Sequence, residues 1–322
     1  MTAPMIPDKV AVIGSGEIGS GWAALCASAG WPVAVFDTNA VAVEKAFENV
    51  PRRSRALIAL ERAPEGIVER GLRELHHGRS LLQAVQGADW IIEAISEDVM
   101  AKQKVWDLIE QVASNDAVCT SSSSGLNPSD IFARCRRQER CLVAHPLNPP
   151  ELIPLVEVVP GERTSRAAID RVTGYLRALG RFPIHLKKSV PGYVVGRIAA
   201  AMWRECIDLV LNGVIDVDQL DRAVSLGPAL GWAAAGPHLT YHLAAGEGGI
   251  NSFTQHLLRS FEGWWGDLAK WDRLEPEQQR AIAQAIERAY RGKVEKLRGS
   301  RDGRLSAILK ALEEAREGPQ AS

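Results

Sequence analysis

Four polar side chains in the middle of the chain have residue types and a spacing that suit the oxidation of an alcohol. Ser124 ends a run of serines, His145 and Asn148 lie in the segment His-Pro-Leu-Asn-Pro, and Glu157 ends Leu-Val-Glu. Removal of a hydride from an alcohol requires a base for the hydroxyl proton, and imidazoles ordinarily titrate near neutral pH. A carboxylate on the second ring nitrogen would fix the tautomer. We predict that His145 is the base, that Glu157 is its partner and that Ser124 holds the reacting oxygen.

Each of these residues also has an ordinary structural interpretation. Ser124 suits a helix N-cap, His145 a hydrogen-bonded core histidine, and Glu157 a surface carboxylate. The chemical interpretation is favoured because these residues follow a nucleotide-binding motif in the same chain.

That motif occupies residues 14–19, which read Gly-Ser-Gly-Glu-Ile-Gly between a predicted strand and a predicted helix. The glycines allow a tight turn, close approach to a pyrophosphate and close packing of helix on strand. Asp37 ends the next predicted strand, where a carboxylate can bind a ribose diol and repel a 2′-phosphate, so NAD is favoured over NADP. A glycine turn without a ligand is the alternative. The predicted cofactor contacts here are Gly14, Gly16, Glu17, Ile18, Gly19 and Asp37.

Short apolar runs separated by helical patterns must position these side chains. Strands are predicted at 9–13, 33–37, 90–93, 117–119, 142–144, 155–159 and 184–186, and a helix at 18–29. Alternation of this kind is typical of an α/β fold with a doubly wound, mostly parallel sheet, whose ligand crevice lies at the carboxyl ends of the strands. After residue 192 only helical patterns remain, at 194–211, 219–226, 252–261, 276–291 and 304–317. We therefore predict a Rossmann-type NAD-binding domain over 1–190 and an all-α domain over 191–322.

Composition excludes several classes of protein. Lys+Arg 38 against Asp+Glu 39 leaves a net charge of -1, which gives no basic surface for nucleic acid. No apolar run is long enough to cross a membrane. The five cysteines form no Cys-x-x-Cys, so neither disulfides nor a zinc site is expected, and His76-His77 is interpreted as a loop without metal. These features predict a cytoplasmic protein.

The motif His-x-x-Asn-Pro, followed by Leu-Val-Glu-Val and preceded by the serine, resembles the 3-hydroxyacyl-CoA dehydrogenase family over nearly the whole chain. The resemblance implies a Rossmann domain that binds NAD and a helical substrate domain through which such enzymes form homodimers. It also implies that Glu97 and Lys102 lie near the nicotinamide ribose; without it, they would be a solvated helix start. The implied catalytic and substrate contacts are Ser124, His145, Asn148 and Glu157.

One position departs from the family pattern Gly-Phe-x-x-Asn-Arg. Residues 192–197 read Gly-Tyr-Val-Val-Gly-Arg, so Gly196 stands where the family has an asparagine. The missing amide argues against a standard acyl-CoA substrate. A free acid would instead need a cation for its carboxylate, and Arg197 and Arg204 are candidates, with structural salt bridges as the alternative.

The resemblance extends to two branches that act on small acids without CoA, the carnitine dehydrogenases and the gulonate 3-dehydrogenases with lambda-crystallin. The C-terminal half, with Met-Trp-Arg-Glu at 202–205, is more similar to the carnitine branch. A quaternary ammonium binds aromatic faces. Packing in the core or at a dimer interface is the equal alternative for the tryptophans of this half, which are Trp203, Trp232, Trp264, Trp265 and Trp271.

The resulting prediction is an NAD-dependent dehydrogenase that oxidises the 3-hydroxyl of a small, carnitine-like or gulonate-like L-3-hydroxy acid. One alternative is an L-3-hydroxyacyl-CoA dehydrogenase in which Arg52, Arg53 and Arg55 meet a CoA phosphate. A solvated helix face explains these arginines better, and Pro51 is expected to interrupt that helix. The other alternative is an NAD-binding structural protein with little turnover, against which the complete set of catalytic residues argues.

Overall fold

The computed structural model describes residues 5–292 and 294–317. They form two compact units, one ending at Arg197 and one beginning at Ile198. The functional division into residues 1–190 and 191–322 remains a prediction. In the first unit, strands and helices alternate as expected, and the α/β class with a helical C-terminal region is confirmed.

One eight-stranded sheet forms the centre of the first unit, in the order β3-β2-β1-β4-β5-β6-β7-β8. Neighbouring strands are parallel, except that β7 runs antiparallel to β6. This order places β1 between β2 and β4, where chain connections leave toward opposite edges and a crevice opens at the carboxyl ends. The strands are β1 (Val10–Ile13), β2 (Val33–Phe36), β3 (Leu75–His77), β4 (Trp90–Glu93), β5 (Val118–Ser121), β6 (Cys141–Pro146), β7 (Leu155–Pro160) and β8 (Phe182–His185).

Both faces of the sheet are covered by helices, which explains why its central strands are apolar at successive positions. In β1, Val10 and Val12 belong to one core cluster, whereas Ala11 and Ile13 belong to the other. Alternate side chains of a strand point to opposite faces, so a strand buried on both faces needs no polar positions. The covering helices of this unit are α1 (Glu17–Ser28), α2 (Ala40–Ala59), α3 (Glu65–Arg73), α4 (Leu81–Val85), α5 (Val99–Glu110), α6 (Pro128–Ile131) and α7 (Arg166–Ala178).

Two local predictions about the first unit are wrong. The helix α2 continues through Pro51. A proline already has a helical φ and removes only one backbone hydrogen bond, and the burial of Val50, Ser54 and Leu57 on either side of it offsets that loss. The His76-His77 pair is not a loop but belongs to the edge strand β3, parallel to β2. Its exposed polar side chains gave no apolar pattern from which a strand could be predicted.

The described residues of the second unit form helices and no strands. The helix α8 (Val195–Leu211) contains the division between the units, and the predicted helix at 252–261 is in fact two helices that meet at Leu257. No helix among the described residues is long and apolar enough to cross a membrane. The remaining helices are α9 (Val217–Leu226), α10 (Pro228–Ala235), α11 (Pro237–Ala244), α12 (Gly249–His256), α13 (Leu258–Asp267), α14 (Pro276–Ala289) and α15 (Val294–Glu317).

Candidate active site

The glycine-rich loop leaves β1 and enters α1 with the geometry of a phosphate cradle. Gly14 has φ +101°, and a Cβ there would lie 2.5 Å from the carbonyl oxygen of Ala94. A Cβ on Gly19 would overlap the Gly14 carbonyl, so the third glycine is needed for packing. At Gly16, by contrast, no heavy atom lies within 4 Å of the Cβ position, which leaves the start of α1 open to a phosphate.

Asp37 follows β2 and fixes this loop. Its Oδ2 accepts hydrogen bonds from the amide of Ser15 at 2.8 Å and from the Ser15 hydroxyl at 3.0 Å, and its Oδ1 accepts one from the Asn39 amide at 2.9 Å. Each carboxylate oxygen can accept more than one hydrogen bond, so a ribose diol can still be bound. Asp37 lines a cavity of about 510 Å³ together with Gly14 and Gly16, and the residues present therefore fit NAD.

His145 and Glu157 are direct partners on the antiparallel pair β6 and β7. Residues opposite each other in such a pair point to the same face of the sheet. The His145 Nδ1 lies 2.8 Å from Glu157 Oε2, and Glu157 is fully buried. If Nδ1 donates to the carboxylate, the lone pair of the neutral imidazole is on Nε2, which can then take a proton.

Glu157 also binds the backbone where the sheet ends and α8 begins. Its Oε1 accepts hydrogen bonds from the amides of Val194 at 2.9 Å and Val195 at 3.1 Å. Burial tends to raise the pKa of Glu157, but the bonds from His145 and from these two amides outweigh it and hold the pKa below its ordinary value. The carboxylate is therefore charged whenever His145 needs to be stabilised as an imidazolium.

Tyr193 connects this pair to residues 121–126, which we call the serine segment. It is a buried non-glycine residue at φ +46°, with its ring 5.7 Å from the His145 ring between centroids. Its hydroxyl donates to the carbonyl of Leu126 at 2.6 Å, and burial, above all, raises the pKa of this hydroxyl, which therefore stays protonated. Backbone strain at a non-glycine residue commonly accompanies a functional constraint.

A second buried carboxylate, Glu93, ends β4. Its Oε1 accepts hydrogen bonds from Lys102 Nζ at 2.6 Å and from the Ile95 amide at 2.8 Å, and its Oε2 accepts the Ser121 hydroxyl at 2.7 Å. Glu93 is fully buried and Lys102 is 1% exposed. The interpretation of Lys102 as part of a solvated helix start is therefore wrong.

Glu97 joins this cluster to the predicted substrate serine. Its Oε1 accepts hydrogen bonds from the Ser123 hydroxyl at 2.5 Å and from the Ser124 amide at 2.9 Å, while its Oε2 lies 3.6 Å from Lys102 Nζ. The Ser124 side chain itself is exposed. Glu97 and Lys102 thus lie together beside the serine segment, and their contact with a nicotinamide ribose remains a proposal.

Asn148, Arg197 and the position of Gly196 are the other parts of the first unit that the sequence connects with the substrate. Asn148 is exposed and precedes Pro149 through a cis peptide bond. Arg197 donates to the Pro191 carbonyl at 3.4 Å. A Cβ on Gly196 would meet only the carbonyl oxygen of Ser124, at 3.7 Å, so the space of the missing asparagine adjoins the serine.

In the second unit, Arg204 donates to the Trp271 carbonyl at 3.3 Å, and the Trp271 indole donates to Asp208 at 2.8 Å. Trp203, Trp264 and Trp265 are 61%, 58% and 56% exposed. Their exposure is compatible both with binding of a quaternary ammonium and with packing at a dimer interface. No group of three or more potential metal ligands occurs among the described residues.

Sequence reasoning missed Glu93, Ser121, Ser123 and Tyr193. For Glu93 there was a signal, because a carboxylate that ends an apolar strand is the same pattern that singled out Asp37. For the two serines and the tyrosine there was none, since their partners are distant in sequence. The predicted solvated face of α2 is wrong for Arg53, which is 8% exposed, whereas Arg52 and Arg55 are exposed as predicted.

Comparison with known proteins shows the family to which the chain belongs. Residues 9–189 match the NAD binding domain of 3-hydroxyacyl-CoA dehydrogenase, and residues 192–285 match its C-terminal domain. An L-carnitine dehydrogenase of Nocardiopsis dassonvillei is 35% identical over 99% of this chain and 96% of its own length. That of Burkholderia mallei is 38% identical over 81% of this chain and 80% of its own length.

A solved structure shows the same architecture. It is the 5-dehydrogenase of 5-formyl-3-hydroxy-2-methylpyridine 4-carboxylic acid, described as an NAD⁺-dependent dismutase, with a TM-score of 0.81 and 30% identity. The similarity covers 96% of this chain and 99% of that one. The chain therefore belongs to the 3-hydroxyacyl-CoA dehydrogenase family and is an NAD-dependent oxidoreductase that acts on CH–OH groups.

Proposed function

We propose that this enzyme oxidises the 3-hydroxyl of L-carnitine, or of a small L-3-hydroxy acid of the same type, to the 3-oxo acid. The observation that carries the reaction is the bond between His145 Nδ1 and Glu157 Oε2, because it leaves Nε2 as the proton acceptor. The choice of carnitine is supported by relatives with that name that match up to 99% of this chain.

NAD held by the glycine-rich loop and Asp37 would supply the acceptor for the hydride from C3 of the substrate. His145 takes the hydroxyl proton at Nε2 as the carbon–oxygen double bond forms, and the charged Glu157 stabilises the resulting imidazolium. Ser124 and Asn148, whose side chains are both exposed, would bind the reacting oxygen and orient the substrate. A proton and a hydride leave the alcohol, so the products are the ketone, NADH and one proton.

The preference for a free acid is supported by Gly196. An asparagine amide in this position would adjoin the Ser124 carbonyl, and glycine leaves that space open. The substrate carboxylate would then bind Arg197 or Arg204, since charge-assisted contacts are about twice as strong as neutral ones.

We also infer a homodimer formed through the second unit, in the cytoplasm. The support is the large apolar side chains that this unit exposes, among them Trp203, Trp264, Trp265 and Leu226 at 74%. Exposed apolar surface of this extent is typical of an interface between subunits. Light scattering of the purified chain tests the dimer.

The substrate is tested by NADH production across a panel. L-carnitine should show the highest kcat/KM, followed by gulonate and 3-hydroxybutyrate, with 3-hydroxybutyryl-CoA lower. The pyridine aldehyde acid of the related dismutase is included in the panel, because that enzyme shares the fold. A higher kcat/KM for the CoA ester or for the aldehyde than for every free hydroxy acid would overturn the proposal.

Truncation of the substrate-binding arginine should raise the KM of the free acid. We expect Arg197→Met or Arg204→Met to raise it about tenfold, because one charge-assisted contact is lost. The kcat should change less, since a contact with the carboxylate is made equally in the bound substrate and in the transition state. If the KM stays unchanged in both variants, neither arginine binds the carboxylate.

A further inference from the structure

Arg53 lies between α1 and the segment that follows His145, and no step of the proposed reaction uses it. It projects from α2 and its side chain is 8% exposed, so it can serve neither as a surface charge nor as a ready contact for a CoA phosphate. Burial of a guanidinium is costly unless anionic partners accompany it.

The first partner of Arg53 belongs to α1, the helix that follows the glycine-rich loop. Its Nη2 forms an ion pair with Glu17 Oε1, and its Nη1 donates to the Glu17 carbonyl at 3.3 Å. Glu17 is the first residue of α1 and directly follows Gly16, where the loop is open to a phosphate. A carboxylate in this position repels a pyrophosphate unless a cation neutralises it.

The second partner belongs to the segment of residues 147–154, which we call the substrate loop. The Arg53 Nη1 lies 3.2 Å from Glu151 Oε1, and Glu151 is 8% exposed. The loop also rests directly on α1, because a Cβ on Gly21 would lie 2.7 Å from Pro150 Cδ and 2.9 Å from Glu151 Oε2. Asn148 is only three residues before Glu151.

We propose that Arg53 is a positioning residue with two separable roles. Through Glu17 it neutralises a carboxylate at the pyrophosphate end of α1, and through Glu151 it holds the substrate loop, and with it Asn148, against the same helix. The inference rests on the proposed placement of NAD at the glycine-rich loop and of the hydroxy acid beside His145.

The two roles predict different rescues. Arg53→Met should weaken NADH binding about tenfold and raise the KM of L-carnitine about tenfold, because one neutralising charge and one loop contact are lost. Adding Glu17→Gln removes the repelling charge and should restore the Kd of NADH to within about threefold, but leave the KM high. Adding Glu151→Gln to Arg53→Met should not restore NADH binding, so the Kd of NADH should stay high.

The measurements are NADH fluorescence titration without substrate, the KM and kcat for L-carnitine, and the unfolding midpoint of each variant. Arg55→Met is the matched control, since Arg55 is on the same helix but pairs with Glu69 at the surface. It should change none of these values. Glu151→Gln alone, which keeps the pair of Arg53 with Glu17, should raise the KM and leave the Kd of NADH unchanged even if Arg53→Met does not fold.

The inference is overturned if Arg53→Met binds NADH and L-carnitine as the wild type does. It is equally overturned if Glu17→Gln does not restore the Kd of NADH in the Arg53→Met variant, or if Glu151→Gln alone leaves the KM unchanged, since Arg53 would then stabilise the fold only. A wild-type chain that does not bind NADH contradicts the proposed function itself, which separates the two failures.

Discussion

Glu93 and Glu157 are both fully buried in strands of the same sheet, but they have different partners. Glu93 binds the ammonium of Lys102, the Ser121 hydroxyl and a backbone amide. Glu157 binds the imidazole of His145 and two backbone amides. Lysine side chains ordinarily remain protonated at physiological pH, whereas imidazoles exchange their proton there.

This difference in partners indicates a structural role for Glu93 and a role in the reaction for Glu157. An ion pair with lysine keeps its charges throughout a reaction, so the Glu93 cluster can fix the serine segment and the cofactor side of the site. A pair with histidine changes its charge by one each time the imidazole takes a proton, so the Glu157 pair can take part in turnover. Burial of a carboxylate does not by itself indicate catalysis; the partner decides its role.

The largest expected effect comes from removal of His145, the proposed proton acceptor. His145→Ala should lower kcat by about 10²- to 10⁴-fold, because the proton acceptor is lost. The Kd of NADH should stay unchanged, since the glycine-rich loop is untouched. Steady-state kinetics and NADH titration check this, with His76→Ala on the exposed edge strand as control. Retention of most of the activity would refute the assignment of His145.

The next largest effect concerns the ion pair of Lys102 with Glu93. Lys102→Met should lower the free energy of unfolding by about 3–5 kcal/mol, because a buried carboxylate loses its charged partner. Urea denaturation without NAD measures this loss independently of any cofactor contact. Lys104→Met, on the exposed side of the same helix, should change it by less than about 0.5 kcal/mol. Equal stability of the two variants would contradict the role given to Glu93.

Glu157→Gln should have a smaller effect on rate, lowering kcat by roughly 10- to 100-fold. The acidic limb of kcat/KM against pH should move to lower pH, because the imidazolium loses its stabilising charge. In the wild type, the lowered pKa of Glu157 contributes stability that is complete above the ordinary carboxyl pKa. This contribution disappears as the pH falls through the folded-state pKa, so the variant should lose less stability in acid. An unchanged pH profile would argue against the pair.

The smallest effect is expected at Tyr193, which contacts both His145 and the serine segment. Tyr193→Phe removes the hydrogen bond to the Leu126 carbonyl and keeps the ring beside His145. We expect a loss of about 1 kcal/mol in stability and a threefold to tenfold lower kcat/KM, without a shift of the pH profile. Tyr175→Phe, in the core on the other face of the sheet, is the control for activity. A wild-type kcat/KM would show that the hydroxyl does not position the serine segment.

The sequence predicted those parts of the molecule whose pattern is local. The apolar runs of β1, β2 and β4, the glycines at 14–19 and the histidine motif were all recognisable, because each depends on neighbouring residues. The edge strand at His76-His77 was not, since an exposed strand needs no apolar pattern. The partners of Arg53 were equally inaccessible, because Glu17 and Glu151 are 36 and 98 residues away.

The antiparallel direction of β7 has a consequence for the design of variants. The register of this antiparallel pair places His145 directly opposite Glu157. The connection, residues 147–154, carries Asn148 and the buried Glu151, so a change in its length would disturb the proposed substrate contact and the ion pair with Arg53. A slip of one residue within the strands would turn one of the two side chains to the opposite face. Libraries aimed at new substrates should accordingly vary exposed side chains of the loop and leave its length, Glu151 and the two strands unchanged.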